Sequence, residues 1–157
     1  MIASKFMVAQ PQTCRLDEQA GEVFKRMRSL GLRLMPAIDA GGTVKGVLST
    51  LSLLGHIVPD YIVSGDLDAI SYAPDFGLLR KHYDIVSNWM VADIIDTQYL
   101  SVGPNESLLS VAAALIGSGR HEYALVVETD GGLLGIISAG DILGLLAQMA
   151  NDRQNDV

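Results

Sequence analysis

The chain has 157 residues, with 11 Lys and Arg against 18 Asp and Glu, a formal net charge of −7. That length suits one compact domain or two small halves sharing a core, and 49% hydrophobic against 18% charged residues excludes a disordered chain. The acidic balance argues against nucleic acid and anionic membrane as partners, and a lone cysteine, Cys14, excludes an internal disulfide and a cysteine-based metal site. No run of about 18 uncharged apolar residues is present to span a membrane. The start, Met1-Ile2-Ala3-Ser4-Lys5, lacks the charged and then apolar regions of a signal peptide. A soluble, cytoplasmic protein is expected.

In chain order, Ala20, Val23, Phe24, Met27 and Leu30 recur at helical spacing, with Asp17 as the expected N-cap and Gly31 as the stop. An apolar strand at 34–38, a turn at Gly41-Gly42 and a strand closing on Gly46-Val47-Leu48-Ser49 read as a hairpin. A helix is predicted over 50–58, halted before Pro59. Residues 59–77 are polar and turn-rich, and 78–89 reads as a helix carrying Arg80-Lys81-His82. A second run follows a lead-in at 91–96. Leu108, Val111, Ala112, Leu115 and Ile116 form its helical stripe, with Asn105 as cap and Gly117 or Gly119 as stop. An apolar strand, a Gly131-Gly132 turn and a strand ending at Ser138 come next. The last helix is predicted over 139–149, with Ile142, Leu143, Leu145, Leu146 and Met149 on its apolar face, and 151–157 as a frayed polar tail.

The two runs are copies. Gly46 and Gly135, and Ser49 and Ser138, stand 89 residues apart; Val23 and Val111, and Gly31 and Gly119, stand 88 apart. The expected organisation is repeat 1 over 1–58, an insertion over 59–90, repeat 2 over 91–150 and the tail. A single helix–strand–strand–helix unit cannot cover both faces of its sheet. Two units packed sheet to sheet with pseudo-twofold symmetry can, so the expected class is α/β in the broad sense, arranged as α+β repeats.

The stretch with most chemistry is Gly135-Ile136-Ile137-Ser138-Ala139-Gly140-Asp141. A strand ends there and a helix begins at once, presenting unpaired amides and the positive end of the helix dipole. Ser138 adds a hydroxyl, and Gly140, beside Ala139, lets a ligand approach the backbone. Asp141 can accept both hydrogens of a ribose diol. The competing reading is a capping box, in which serine and acid satisfy only the helix end.

With Met35-Pro36-Ala37-Ile38-Asp39 and Gly46-Val47-Leu48-Ser49 in one copy, and Leu125-Val126-Val127-Glu128 and Gly135 to Asp141 in the other, the chain resembles a tandem pair of cystathionine-β-synthase (CBS) domains over residues 3–58 and 90–150. The lead-ins Val91-Ala92-Asp93-Ile94-Ile95 and Val102-Gly103-Pro104-Asn105-Glu106-Ser107 support the resemblance. It implies a regulatory module, without catalysis of its own, that binds AMP, ADP, ATP or S-adenosylmethionine in clefts between domains. Asp141 would hold the ribose and Ser138 the ribose or phosphate, while backbone at Tyr123, Ala124 and Leu125, with the strand at Ser101, would flank the base. Copy one departs from the pattern: Ser52 stands where Asp141 does, so Ser49 and Ser52 are expected to form a degenerate second site. No covalent cofactor is implied, and a role for Mg²⁺ stays open.

Arg120 and His121 offer positive charge to a phosphate or simply complement a helix end. Asp66 and Asp68 are weak candidates for a Mg²⁺ contact. The helices over 51–58 and 142–149 carry more apolar surface than one chain covers, which predicts a homodimer, and a separate regulated protein would receive the signal. The alternative is a ligand-free structural or protein-interaction (dimerisation) module, in which Ser138 and Asp141 are only a cap and the insertion over 59–90 is the partner surface. An enzyme is a poor reading, because no nucleophile–base pair and no P-loop lysine are present.

Overall fold

The computed structural model describes residues 1–65 and 76–155. The elements are α1 (Ala3–Phe6), β1 (Val8–Ala9), β2 (Cys14–Arg15), α2 (Ala20–Leu30), β3 (Leu34–Ile38), β4 (Val44–Ser49), α3 (Thr50–Ile57), α4 (Asp60–Ser64), α5 (Phe76–Ser87), α6 (Val91–Ile94), β5 (Leu100–Val102), α7 (Leu108–Ser118), β6 (Tyr123–Val127), β7 (Leu133–Ser138) and α8 (Ala139–Asn155). The fold is a mixed α/β arrangement of two sheets with helices.

Parallel strands need a crossover, and each repeat supplies one as a helix. Cys14 lies opposite Ala37 in the parallel pair β2–β3, bridged by α2; Leu100 lies opposite Ala124 in β5–β6, bridged by α7. Each crossover continues into a hairpin. Its turn uses a glycine in the left-handed region, Gly42 at φ 82° and Gly131 at φ 92°. Asp39 and Asp130 each accept the amide two residues on, at 2.9 Å, and so fix the turns.

The chain forms two compact units that do not follow the repeats in sequence. Unit 1 gathers Met1–Pro11, Gly42–Val44 and Gln98–Val157; unit 2 gathers Gln12–Gly41 and Lys45–Thr97. The lead-ins are therefore exchanged. In unit 1 the sheet order is β1-β7-β6-β5, with Val8 opposite Ile136 and Ala9 opposite Gly135. In unit 2, whose sheet runs β2-β3-β4, Asp96 and Val47 exchange amide hydrogen bonds of 2.9 Å in both directions. Both repeat glycines take their meaning from this crossing. A Cβ at Gly135 would stand 2.8 Å from the Val8 carbonyl oxygen, and one at Gly46 2.8 Å from that of Asp96.

Each unit has its own core. Val23, Met27, Met35, Ala37, Leu48 and Leu53 anchor that of unit 2; Val111, Leu115, Ala124, Val126 and Ile137 anchor that of unit 1. The insertion helix α5 belongs to unit 2 and packs on α2 and α3. Val86 is buried there, Tyr83 meets Phe24 edge-on at 6.3 Å, and a Cβ at Gly21 would press within 2.9 Å of Ser87.

Several sequence expectations need correcting. Asp17 does not cap α2: the N-cap is Gln19, without a side-chain bond, and Asp17 pairs with Arg15 at 3.0 Å. Asn105 does not cap α7: the helix starts later, and Ser107 accepts the Ser110 amide at 3.0 Å. Ile116 is not a core residue but 84% exposed, because α7 turns only Val111 and Leu115 fully inward. Gly31 and Gly119 do end their helices, both at positive φ. The last helix runs past Met149 to Asn155, where no glycine or proline stops it. Among the described residues no helix is long and apolar enough to cross a membrane. Asp66 and Asp68 lie outside the described residues.

Candidate functional site

β7 passes into α8 with no residue between. The Ser138 Oγ accepts the Asp141 N–H at 2.9 Å, and the Asp141 Oδ2 accepts the Ser138 N–H at 2.9 Å. This is a complete capping box. It does not exhaust the chemistry present. An ionised carboxylate offers two oxygens and about four lone-pair directions, of which the box uses one. Asp141 is exposed, as is Gly140. A Cβ at Gly140 would meet nothing nearer than the Ser138 Oγ at 3.6 Å, and its φ is not positive. Neither packing nor backbone conformation requires a glycine there.

The equivalent junction in the first repeat is closed off. Ser49 Oγ accepts the Ser52 N–H at 3.0 Å. Ser52 Oγ accepts the Ser49 N–H at 3.1 Å and donates to the Ser49 carbonyl at 3.0 Å, so its only proton is committed. Leu51, 78% exposed, stands where the second repeat has Gly140.

The sheet assembles the remaining candidates of unit 1. Tyr123 lies opposite Ser138, Leu125 opposite Ile136, and Ser101 beside Leu125 on the parallel strand. Alternation puts Ser101, Tyr123, Leu125 and Ser138 on one face. Ala124 points to the other, into the core with Val126 and Ile137, and can offer a ligand only its backbone. The Ala139 N–H donates to the Glu122 carbonyl at 2.9 Å, which ties the helix start to the segment carrying Arg120 and His121. Arg120 donates to the Gln98 side chain at 3.2 Å, and the His121 amide donates to the Ser118 hydroxyl at 3.3 Å.

A second charged cluster escaped the sequence reading, since Glu18 and Arg26 are eight residues apart and form no motif. Arg26 meets both carboxylate oxygens of Glu18, at 2.8 and 3.2 Å, and donates to the Thr13 carbonyl at 3.1 Å. Its guanidinium holds the Glu18 carboxyl below the usual range. Beneath it, burial, helped by the negative charge of Glu18, pushes the Cys14 thiol up to about 12, which keeps it protonated and inert. A cavity of about 600 Å³ opens beside this cluster, lined by Gln12, Thr13, Ile38 and the paired Arg15, Asp17, Glu18 and Arg26. Every cation in it already faces a carboxylate. Elsewhere in unit 2, His56 meets Trp89 edge-on at 6.4 Å, a packing contact. Among the described residues no three metal-binding side chains come together.

The CBS domain profile matches residues 3–59 and 91–148 of the chain. No curated protein sequence matches it. Similar solved structures include a putative acetoin utilization protein (AcuB) from Vibrio cholerae. It has TM-score 0.73 and 17% identity, and the match covers 99% of this chain and 96% of that one. Another is CBSX2 solved in complex with AMP, with TM-score 0.70 and 21% identity over 95% of this chain and 98% of the other. The CBS-pair protein CBSX2 from Arabidopsis thaliana matches with TM-score 0.70 and 22% identity over 96% of both chains. At such identities the likeness is one of fold. The profile, however, spans both copies, and the exchanged lead-ins bind each copy into a unit of the same design, so the chain belongs to the CBS domain family as a tandem pair.

Proposed function

We propose that this chain is a regulatory module that binds an adenosine-containing ligand at the β7–α8 junction and signals to a separate protein. The observation that carries this reading is the contrast between the two junctions. Asp141 keeps carboxylate capacity beyond its cap, beside a glycine that nothing within the chain requires. Ser52 has spent its proton, and Leu51, not a glycine, stands at the equivalent position. Ser138 and the first-turn amides would meet ribose or phosphate, Asp141 the ribose diol, and Tyr123, Leu125 and Ser101 the base. The AMP complex of CBSX2 supports an adenine nucleotide as the ligand class. The net charge of −7 favours AMP or S-adenosylmethionine over free ATP, whose extra phosphates would need Arg120, His121 or a divalent cation to offset them. Binding would shift a population of arrangements in a cytoplasmic homodimer built on the apolar helices that follow Ser49 and Ser138.

The test is a thermal-unfolding panel with AMP, ADP, ATP with and without Mg²⁺, S-adenosylmethionine and a GTP control. Ligand at about one hundred times Kd adds about 2.7 kcal/mol. In a chain of this size that raises Tm by about 5–10 °C. The rise is expected with one adenosine compound and is expected to vanish in Asp141→Ala. The completed capping box favours a second reading, a ligand-free interaction module. A flat panel at millimolar ligand would establish it instead.

A further inference from the structure

Helix α5 comes from the insertion between the repeats, and its packing in unit 2 sets charges of one sign side by side. Two contacts fix its register on α2. A Cβ at Gly21 would stand 2.9 Å from the Ser87 Cβ, and Phe24 meets Tyr83 edge-on at 6.3 Å. Moving up α2 thus moves down α5, so the two helices are antiparallel. Residues 21, 24 and 28 share one flank of α2, and 87, 83, 80 and 76 share one flank of α5, because neighbours on a helix face are three or four apart. The next rung therefore sets Arg28 against Arg80, with Phe76 one turn beyond. Both arginines are exposed, as is Lys81, and beside them Phe76 is 79% and Leu30 48% exposed. Among the described residues none of Arg28, Arg80 and Lys81 meets a carboxylate, that of Asp84 one turn along included, whereas Arg15, Lys25, Arg26 and Lys45 in the same unit all do. Like charges facing each other across two helices repel, so folding does not ask for this arrangement. The dipole of α2 accounts for Arg28 in its last turn, but Arg80 and Lys81 stand in the second turn of α5, toward its positive end. Nor does the repeat call for it, since Ile116 occupies the position of Arg28, 88 residues on.

We infer that this α2–α5 surface of unit 2 docks an acidic, partly apolar segment of the protein that receives the signal. The inference rests on the separate protein of the reading above and gives the chemistry of its contact. Charge complementarity selects the occupant. Carboxylates set among Arg28, Arg80 and Lys81 would remove the repulsion that the free chain carries, and leucine or phenylalanine side chains between them would cover Phe76 and Leu30. A small inorganic anion could do only the first of these. A nucleic acid is disfavoured by the net charge of −7, which repels a long polyanion as a whole, whereas a short acidic segment responds mainly to charges within about 8 Å at physiological salt. None of these residues lies on the helices that follow Ser49 and Ser138 or at the β7–α8 junction, so the surface is separate from the proposed dimer contact and ligand site.

The test is fluorescence anisotropy of the full chain with a labelled amphipathic peptide of glutamate and leucine, its lysine-for-glutamate counterpart and a labelled single-stranded oligonucleotide, with thermal unfolding and AMP calorimetry on the same samples. Wild type is expected to bind the glutamate peptide alone, and more weakly as NaCl is raised. Arg28→Glu and Arg80→Glu are each expected to weaken binding about tenfold or more, and Phe76→Ala to weaken it with rescue by Phe76→Leu. Arg153→Glu, the same change of charge on α8 in unit 1, is expected to stay within about twofold of wild type. Arg80→Gln is expected to unfold no lower than wild type, since it relieves a repulsion. Should a reversal at the α2–α5 contact unfold the chain, Lys81→Glu supplies a second measurement, because Leu79, Tyr83 and Val86 are the residues of α5 that face the core. No binding to wild type, binding of the lysine peptide as well, or binding that survives the reversals overturns the surface, and AMP calorimetry then still decides the nucleotide reading. Oligonucleotide binding that is lost in Arg80→Glu, without peptide binding, overturns the protein partner. Peptide binding lost at Arg80 in a chain that takes no adenosine ligand upholds the surface and removes the nucleotide reading.

Discussion

Gly135→Ala tests whether the N-terminal lead-in truly crosses the last hairpin. The new methyl carbon would stand 2.5 Å from the Met7 sulfur and 2.8 Å from the Val8 carbonyl oxygen. The thioether could swing aside, but the carbonyl is held in the β1–β7 pair, so the edge strand itself must shift. Overpacking of that kind costs about 1–3 kcal/mol. At about 2–4 °C per kcal/mol for a chain of this size, Tm should fall by about 2–12 °C. The control is Gly55→Ala, inside α3, where a Cβ meets nothing within 4 Å. It should stabilise by about 0.5–1 kcal/mol, because alanine loses less backbone freedom than glycine on entering a helix. Thermal unfolding by circular dichroism at one fixed protein concentration reads both. A Gly135→Ala chain that melts no lower than wild type would refute the crossing, and with it the exchanged lead-ins.

The capping role and the ligand role of Asp141 separate in a pair of variants. Asp141→Ala should cost about 0.5–1 kcal/mol through the lost acceptor, whereas Asp141→Asn, which keeps an oxygen for the Ser138 amide, should unfold within about 0.5 kcal/mol of wild type yet bind an adenosine ligand far more weakly in calorimetry. Cys14 should ignore a thiol reagent in the native chain at neutral pH and react at once in denaturant. Its raised native value also sets a direction. Stability from the protonated thiol is complete below the ordinary value of 9.0 and is lost as pH rises from there towards about 12. Chemical denaturation of Cys14→Ala should show less of that alkaline loss. Glu18 has the opposite sign: its depressed value contributes stability above the ordinary carboxyl range that is lost as pH falls through the native one. Glu18→Gln should flatten the acid limb of the stability profile.

Much of this architecture is legible in the residues, and the exceptions share a cause. The 3.6-residue stripes, the Gly-Gly turns and the 89-residue repeat are local signals, and the helices and hairpins appear where those signals stand. The exchange of lead-ins is not local. Val8 reads the same whether it pairs with its own repeat or with Ile136 of the other, and only the glycines at 46 and 135, needed in both hairpins, hint at a crossing. Ile116 sits on the helical period yet faces outward, because periodicity marks the apolar positions of a helix and not which side is covered. The cap of α7 falls at Ser107 and not Asn105 for a related reason: both residues suit a cap, and the start of the buried stripe decides between them. At the candidate site, Ser138 and Asp141 were visible as a motif. That Ser52 spends its own proton on Ser49 is a matter of geometry, which no spacing reveals.

The exchanged lead-ins also bear on the order in which the chain can fold during synthesis. Everything unit 2 needs over 12–41 and 45–97 lies upstream of residue 98, so its sheet can close while the second repeat is still being made. Residues 3–9 leave the ribosome earlier still, but Gly135 and Ile136, their partners in the sheet, are among the later residues to appear. Residues 3–9 are thus made well before the strand they pair with, and until it appears α1 and β1 carry an open strand edge and the apolar side chains of Phe6 and Met7. A break anywhere between the repeats would leave β1 tied to β7 by non-covalent contacts alone.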